Sequence, residues 1–494
     1  MSPPVVRFGA ACLAAALLLS ACAVGPDYHR PALPSASGYG SEATSPAESG
    51  FSGAPQLVLG SDIPAQWWTV FHNADLDALV AQALKNSPTV EAAQAALRSA
   101  RELVKAQQGA YFPTMAASVQ PSRQQFAQTL SSPLNNGSQL YNLTTTQVSV
   151  SYTPDLFGAN RRAVENLTAQ ADQQRFELEA ARLTLASNVV QAAIQDAQLR
   201  AEIEATQAIV NGQQQTLESF RRQYALGQAS KADVAAQEAL LAQTQAALPP
   251  LQRQFRVNRD LLEALVGRTP GEPVTVSFAF KDLTLPESLP LSLPAQLVDH
   301  RPDVRLAEAQ LHAASAQIGV AVAARLPNLE IDANAGSAAL GLVPKFDSAS
   351  NFWSVAATLA QPIFQGGTLL HRQKAAEAAY DQAAAQYRAA VVDAFQNTAD
   401  TLHALWTDAD ALSQARAAAD ATRRSLDIAR KQYALGDLSR LAVISAEQAE
   451  SQAELTLLQA EANRYDDAVA LFQALGGGWW NRGGQDRVAD VVNP

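Results

Sequence analysis

Residues 159 to 226 run for 68 positions without a proline and are rich in Ala, Gln, Glu, Leu and Arg, all good helix formers. At ~1.5 Å per residue a continuous helix over that stretch is about 100 Å long, wider than any single globular core. A second proline-free passage runs from Gly367 to Leu435. Hydrophobic residues make up 48% of the chain, many of them alanine, which suits close-packed helices better than a large aliphatic core. In the second passage Val391, Phe395, Thr398, Leu402, Leu405, Ala409 and Leu412 alternate spacings of four and three, a heptad seam. Leu183, Ala186, Val190, Ala193 and Ala197 do the same in the first passage with smaller side chains, and so do Leu455, Leu458, Ala462, Tyr465, Val469 and Phe472 farther on. The chain is therefore expected to fold around long coiled-coil helices.

Both passages end in one phrase, RRQYALG at 221–227 and RKQYALG at 430–436, an offset of 430 − 221 = 209 residues. From Arg221 to Gly267 that offset matches 13 of 47 positions. The chain is an internal duplication. Gly227 and Gly436 stand where each long helix must stop, because glycine tolerates the left-handed conformation that closes a helix. They mark two hairpin tips, near 224–230 and 433–439, after which the chain returns as a second helix. Pro249 and Pro250 fall inside the first return helix and predict a kink or interruption there; the second copy has no such pair.

Ahead of each long helix the period changes to two. In QVSVSY, Val148, Val150 and Tyr152 alternate with polar residues, and the preceding YFPTMAASVQP is a weaker strand candidate, with the turn-rich SSPLNNGSQ between them. In the second half Leu329, Ile331, Ala333 and Ala335 alternate with Asn328, Glu330, Asp332 and Asn334, followed by Trp353, Val355, Ala357 and Leu359. Each half thus offers one β-hairpin, about 111–155 and about 327–362, preceded by helical text from Trp67 and from Arg301.

The N-terminus has one charge, Arg7, then a short apolar run ending in Leu19, Ser20, Ala21 and Cys22. This reads as a signal peptide over 1–21 and resembles the bacterial lipobox, which implies cleavage before Cys22 and acylation of its thiol, with Ala23 after it pointing to the outer membrane. Residues 22–60, rich in Pro, Ser, Gly and Ala, read as a lipidated tether without a specified element. Cys12 is the other cysteine, so the mature chain has no thiol left for a disulfide or metal. Losing Arg7 takes the net charge from −11 to −12, an acidic balance that argues against nucleic acid as partner. Beyond the signal no run approaches the roughly 18–20 apolar residues of a spanning helix, so any membrane crossing is by strands. Four strands are too few to close a barrel, and open edges cannot face lipid. Several copies must close one barrel together, with their long helices gathered into a tube.

The segments WWTVFHNADLDALV, SYTPDLFGANRR, QYALGQASKADV, HRPDVRLAEAQLHAASAQIGVAVAARLPNLEI, QPIFQGG, QYALGDLS and LGGGWW occur in this order and span nearly the whole mature chain. They resemble the outer membrane factor family of tripartite efflux systems, the TolC and OprM type, and within it the NodT-like lipoprotein branch. The resemblance implies a mainly α chain with membrane β. It has two repeats (61–267 and 301–476), each with two β-strands and long coiled-coil helices. The trimer would carry a 12-stranded β-barrel on a 12-helix periplasmic α-barrel. Residues 268–300 and 477–494 would form the equatorial part. The implied function is that of a passive homotrimeric duct for small molecules, working with a periplasmic adaptor and an inner-membrane pump of the RND type. It is no enzyme and has no cofactor apart from the N-acyl and S-diacylglycerol lipid on Cys22.

The resemblance also places a periplasmic gate on Tyr433 and Asp233, bonded between neighbouring copies, with Arg440 standing near Leu438, where some members have an arginine, and Leu441 at a hydrophobic constriction. The tips at Tyr224, Gly227 and Gly436 would dock the adaptor. Two pore-lining aspartates of the family fall on Ser445 and Ala442; Glu447 is the nearest carboxylate, rotated about 200° from Ser445 on a helix. Tyr433 as simple packing and Asp233 as a solvated side chain remain open at this point. The alternatives are the outer membrane duct of a type I protein secretion system and a periplasmic coiled-coil adaptor lipoprotein. An enzyme fits badly, since His29, His72, His300, His312, His371 and His403 form no metal-spacing pair and QGG at 365–367 is too short for a phosphate loop.

Overall fold

The computed structural model describes residues 23–32, 55–125, 140–292 and 294–482; Cys22 and the rest of the signal and lipobox lie outside them, as do 33–54 of the tether. The described residues divide into two compact units. One contains the N-terminal residues up to Pro31 with Ala96–Gln174 and Ala307–Tyr387; the other contains the described parts of Ala32–Ala95, Arg175–Leu306 and Arg388–Pro494.

The elements follow the duplication. In the first half come β1 (Gln56–Leu59), α1 (Ala74–Asn86), α2 (Pro88–Gln108), β2 (Thr114–Gln125), β3 (Leu140–Tyr152), α3 (Ala159–Ala225) and α4 (Lys231–Leu265). The second half contains β4 (Ser288–Leu291), α5 (Pro294–His300), α6 (Pro302–Ala323), β5 (Asn328–Leu340), β6 (Asn351–Ala360), α7 (Thr368–Leu435) and α8 (Arg440–Ala474). The return helices α4 and α8 are 35 residues each and begin and end 209 apart, at 231 and 440 and at 265 and 474. Of the kink or interruption expected at Pro249 and Pro250, the interruption does not occur: α4 runs through both as one helix. Adjacent prolines remove two amide donors but leave the flanking hydrogen bonds to hold the helix. The helical text from Trp67 is in fact a 3₁₀ turn (Trp67–Phe71) and two helices, parted at Ser87 and Pro88, where proline takes a first helical position.

In the first unit β2, β3, β5 and β6 form one antiparallel sheet in that order. Register pairs Met115 with Val150, Val150 with Ala333 and Ala333 with Val355. One face therefore carries Met115, Val119, Val148, Trp353, Val355 and Leu359, and the other Ser149, Asp332, Asn334 and Ser354. The sheet ends in a turn where the Asp155 carboxylate accepts the N–H groups of Asn160 (3.1 Å) and Arg161 (2.8 Å), capping the first turn of α3.

In the second unit the heptad residues are core: Thr398, Leu402 and Leu405 are 0% exposed, as is Val190. Trp67 stacks on Phe472 with centroids 5.2 Å apart, and the Tyr465 hydroxyl donates to the Leu283 carbonyl at 3.1 Å. The tether reading is corrected here, since β1 pairs in parallel with β4, from Gln56 opposite Ser288 to Leu59 opposite Leu291. Residues 268–300 and 477–482 join the same unit, while 483–494 of the expected C-terminal tail lie outside the described residues. Trp479 and Trp480 donate to the His300 carbonyl and the Asp62 carboxylate, at 2.7 and 2.9 Å. Arg301 is buried, forks onto Asp303 and donates to the Ala474 carbonyl at 3.0 Å, satisfying the C-terminus of α8.

Candidate functional site: hairpin tips and a two-faced sheet

The two tips are built alike. Gly227 and Gly436 have φ of 76° and 84°. At each the glycine N–H returns to the tyrosine carbonyl three residues back, Tyr224 (2.9 Å) or Tyr433 (3.0 Å), and the next N–H reaches the glutamine carbonyl five back, Gln223 (2.8 Å) or Gln432 (3.0 Å). This paired bonding pattern closes both long helices. The repeated arginine crosses the hairpin to the return helix: Arg221 meets Glu238 at 2.8 Å, and Arg430 meets Glu447 at 3.1 Å. These glutamates are among the positions matched at the 209 offset.

The copies then diverge. In the first hairpin the Ser230 side chain accepts from the Asp233 N–H, while the Asp233 carboxylate accepts from the Ser230 amide (2.9 Å) and hydroxyl (2.7 Å), a capping box. These donors hold the Asp233 carboxyl below the usual carboxylate range. Position 442 of the second copy is Ala442, and Ser439 makes no side-chain cap. Instead Tyr433 and Leu438 pack on a cluster of Leu426, Ala429 and Val443, and the Arg440 guanidinium lies 4.5 Å from the Phe220 ring and 5.3 Å from that of Tyr433. Burial lowers the pKa of Arg440, opposed by the nearby Glu447.

Within one chain no hydrogen bond joins Tyr433 to Asp233 among the described residues; the first packs within the second hairpin and the second caps the first. Glu447 is buried and held by Arg430, whereas Ser445 is exposed. Leu441 is 67% exposed, and Tyr224, Leu226 and Leu435 also present apolar surface around the tips. The capping box was missed, although S-x-x-D at 230–233 is a local signal that could have found it. The arginine–glutamate pairs were missed, although both partners recur at the offset, because an identity at one position names no contact.

A separate candidate site, in the first unit, is the sheet. Its apolar face is bare in one copy, with Met115 74%, Trp353 78%, Val355 66% and Leu359 66% exposed, and the outer edges of β2 and β6 pair with no other strand among the described residues. No helix among the described residues is long and apolar enough to cross a membrane. The same residues contain no His, Cys, Asp and Glu grouping able to hold a metal.

The sequence matches the family described as "Outer membrane efflux protein" over residues 79–268 and 293–477, more than half of the chain. The chain belongs to the outer membrane efflux protein family. Among curated relatives, outer membrane protein OprJ of Pseudomonas aeruginosa is 30% identical over 481 residues, covering 96% of this chain and 96% of the relative. The toluene efflux pump outer membrane protein TtgI of Pseudomonas putida is 29% identical, covering 96% and 99%. Nodulation protein T of Rhizobium leguminosarum is 27% identical, covering 94% and 92%. Among solved structures, the outer-membrane channel OprN superposes with a TM-score of 0.83 at 25% identity, covering 93% of this chain and all of that one. VceC of Vibrio cholerae superposes at 0.79 with 26% identity, covering 84% and 100%. As an outer membrane efflux protein the chain is a passive channel component and no enzyme, which also sets aside the adaptor alternative.

Proposed function

We propose that three copies of this chain close one β-barrel and form the outer membrane duct of a tripartite efflux system, passing small molecules from a pump and adaptor to the exterior. The observation that carries this reading is the sheet with two unlike faces and two unpaired edges. An apolar face fits lipid and a polar face fits a water-filled lumen. Strands of 10 to 13 residues match the ~9–11 that cross a bilayer at a tilt. Edge amides and carbonyls in lipid would each cost several kcal/mol, which neighbouring copies remove by pairing β2 with β6.

Relatives named for toluene, solvent and pyoverdine export support small cargo over secreted protein. Relatives named as efflux pump components support a pump and adaptor as partners, with an RND-type pump as the finer reading. The exposed apolar tips supply an adaptor surface, and acylation at Cys22 supplies a second hold on the outer membrane. Detergent extraction followed by native mass spectrometry, with deletion of the gene and susceptibility profiling, tests this. A heat-sensitive trimer and hypersensitivity to apolar toxicants, reversed by complementation, is expected. A stable monomer with an unchanged profile would overturn the reading.

A further inference from the structure

Residues 23–30 lie fixed against the first unit. The Val24 N–H donates to the Phe157 carbonyl at 3.0 Å. Arg162, on the first turn of α3, is buried and spends its whole guanidinium on this neighbourhood. Its Nε donates to the Val24 carbonyl (3.1 Å), one terminal nitrogen to Glu165 (2.8 Å) and the other to Asp27 (2.7 Å). Tyr28 stacks on His312 of α6 at 4.3 Å and 16°, His312 Nε2 meets Glu165 at 2.9 Å, and Arg30 pairs with Glu308 at 3.1 Å.

Three glycines clear the path. A Cβ on Gly158 would stand 2.6 Å from Ala23, one on Gly25 2.4 Å from Gly319, and one on Gly319 2.7 Å from Arg162. Gly25 and Gly158 also have φ of 93° and 77°. So many specific contacts on eight residues exceed what a tether needs to stay out of the way.

We propose that residues 23–30 are a seat for the acylated N-terminus, with Arg162 as its positioning residue. Ala23 and Val24 lie against the Phe157–Gly158 turn that follows β3, so the seat holds the chain from its first described residue onward and not as a loose tether. The location of the anchor rests on the acylation of Cys22 read above; the seat rests on the contacts alone.

The test uses full-length protein purified in detergent, with Asp27→Asn and Arg162→Met variants. Asp27 is exposed, so its variant removes the Asp27–Arg162 ion pair and leaves Arg30–Glu308 in place without threatening the fold. Chymotrypsin cleavage after Tyr28 is read by mass spectrometry, which also reports the acyl chains. Slow cleavage in the unaltered protein, severalfold faster cleavage in Asp27→Asn and roughly tenfold or faster cleavage in Arg162→Met, with the oligomer retained, is expected, since cleavage follows the opening equilibrium when reclosing is fast. A nitroxide on His29→Cys in lipid vesicles should hold one depth and become mobile in either variant, a change that a general loss of stability would not confine to the strap. Equal cleavage in all three proteins, or a label already mobile in the unaltered one, would overturn the seat. An unacylated Cys22→Ser protein should stay protected; its loss of protection would show that lipid, not the strap contacts, does the holding. Absence of acyl chains with protection intact would remove the anchor and leave the seat standing.

Discussion

The two copies of the tip offer an internal control. Glu238 and Glu447 occupy equivalent positions and meet equivalent arginines, but their surroundings differ. The Arg221–Glu238 pair is exposed on both sides, 60% and 47% by side chain, and an exposed pair is worth about 0.2–1 kcal/mol. Glu447 is only 11% exposed by side chain. Nearby, Arg440 holds Nε and one terminal nitrogen buried without a hydrogen-bond partner among the described atoms, and depends on the charge of Glu447. Breaking a fully buried pair costs about 3–5 kcal/mol; with Arg430 59% exposed we reduce this to about 2 kcal/mol for Glu447→Ala. At ~1.4 kcal/mol per factor of ten, that raises the open population of the second tip about 30-fold, against about twofold for Glu238→Ala in the first. Hydrogen exchange on the assembled protein reads both tips at once, through the amides flanking Gly227 and Gly436. Dye leakage through the duct should follow the second tip. Equal acceleration in the two variants, or a larger effect from Glu238→Ala, would refute the reasoning that burial sets the difference.

Two further outcomes are expected. Val355→Arg should deplete the protein from the outer membrane, since an arginine on a lipid-facing strand position costs about 2–4 kcal/mol at midplane, whereas Ser354→Arg on the opposite face should insert normally; fractionation and immunoblotting compare them. Burial raises the carboxyl pKa of Asp466 to about 7, and burial with Asp408 nearby raises that of Asp467 to about 6. The folded state therefore binds more protons than the unfolded one between about pH 4 and 7, so stability falls as pH rises through that window. Asp466→Asn should flatten this dependence and raise the melting temperature at pH 8, as measured by thermal scans across pH.

Much of the architecture was legible before any coordinates. Proline-free runs of helix formers, a heptad seam and period-two stretches are local patterns, and each fixes an element because backbone geometry repeats every 3.6 or 2 residues. The 209-residue offset also aligned Leu262 with Leu471, an identical pair that are both 0% exposed. The tether was misread because β1 is four residues long and takes its partner from β4, more than two hundred positions away; no local period announces such a pairing. The double proline was expected to kink or interrupt α4, and it does not interrupt it.

By itself the sequence determined that the chain is a duplicated set of long helices and hairpins too incomplete to close alone, since period and repetition are properties of order along the chain. Only the tertiary structure decided that Arg162 receives the N-terminal strap, that Glu447 is buried while Glu238 is not, and that Asp233 is occupied by its own helix cap. Those outcomes depend on which side chains exclude water from which neighbours, and that is settled by packing between segments far apart in order.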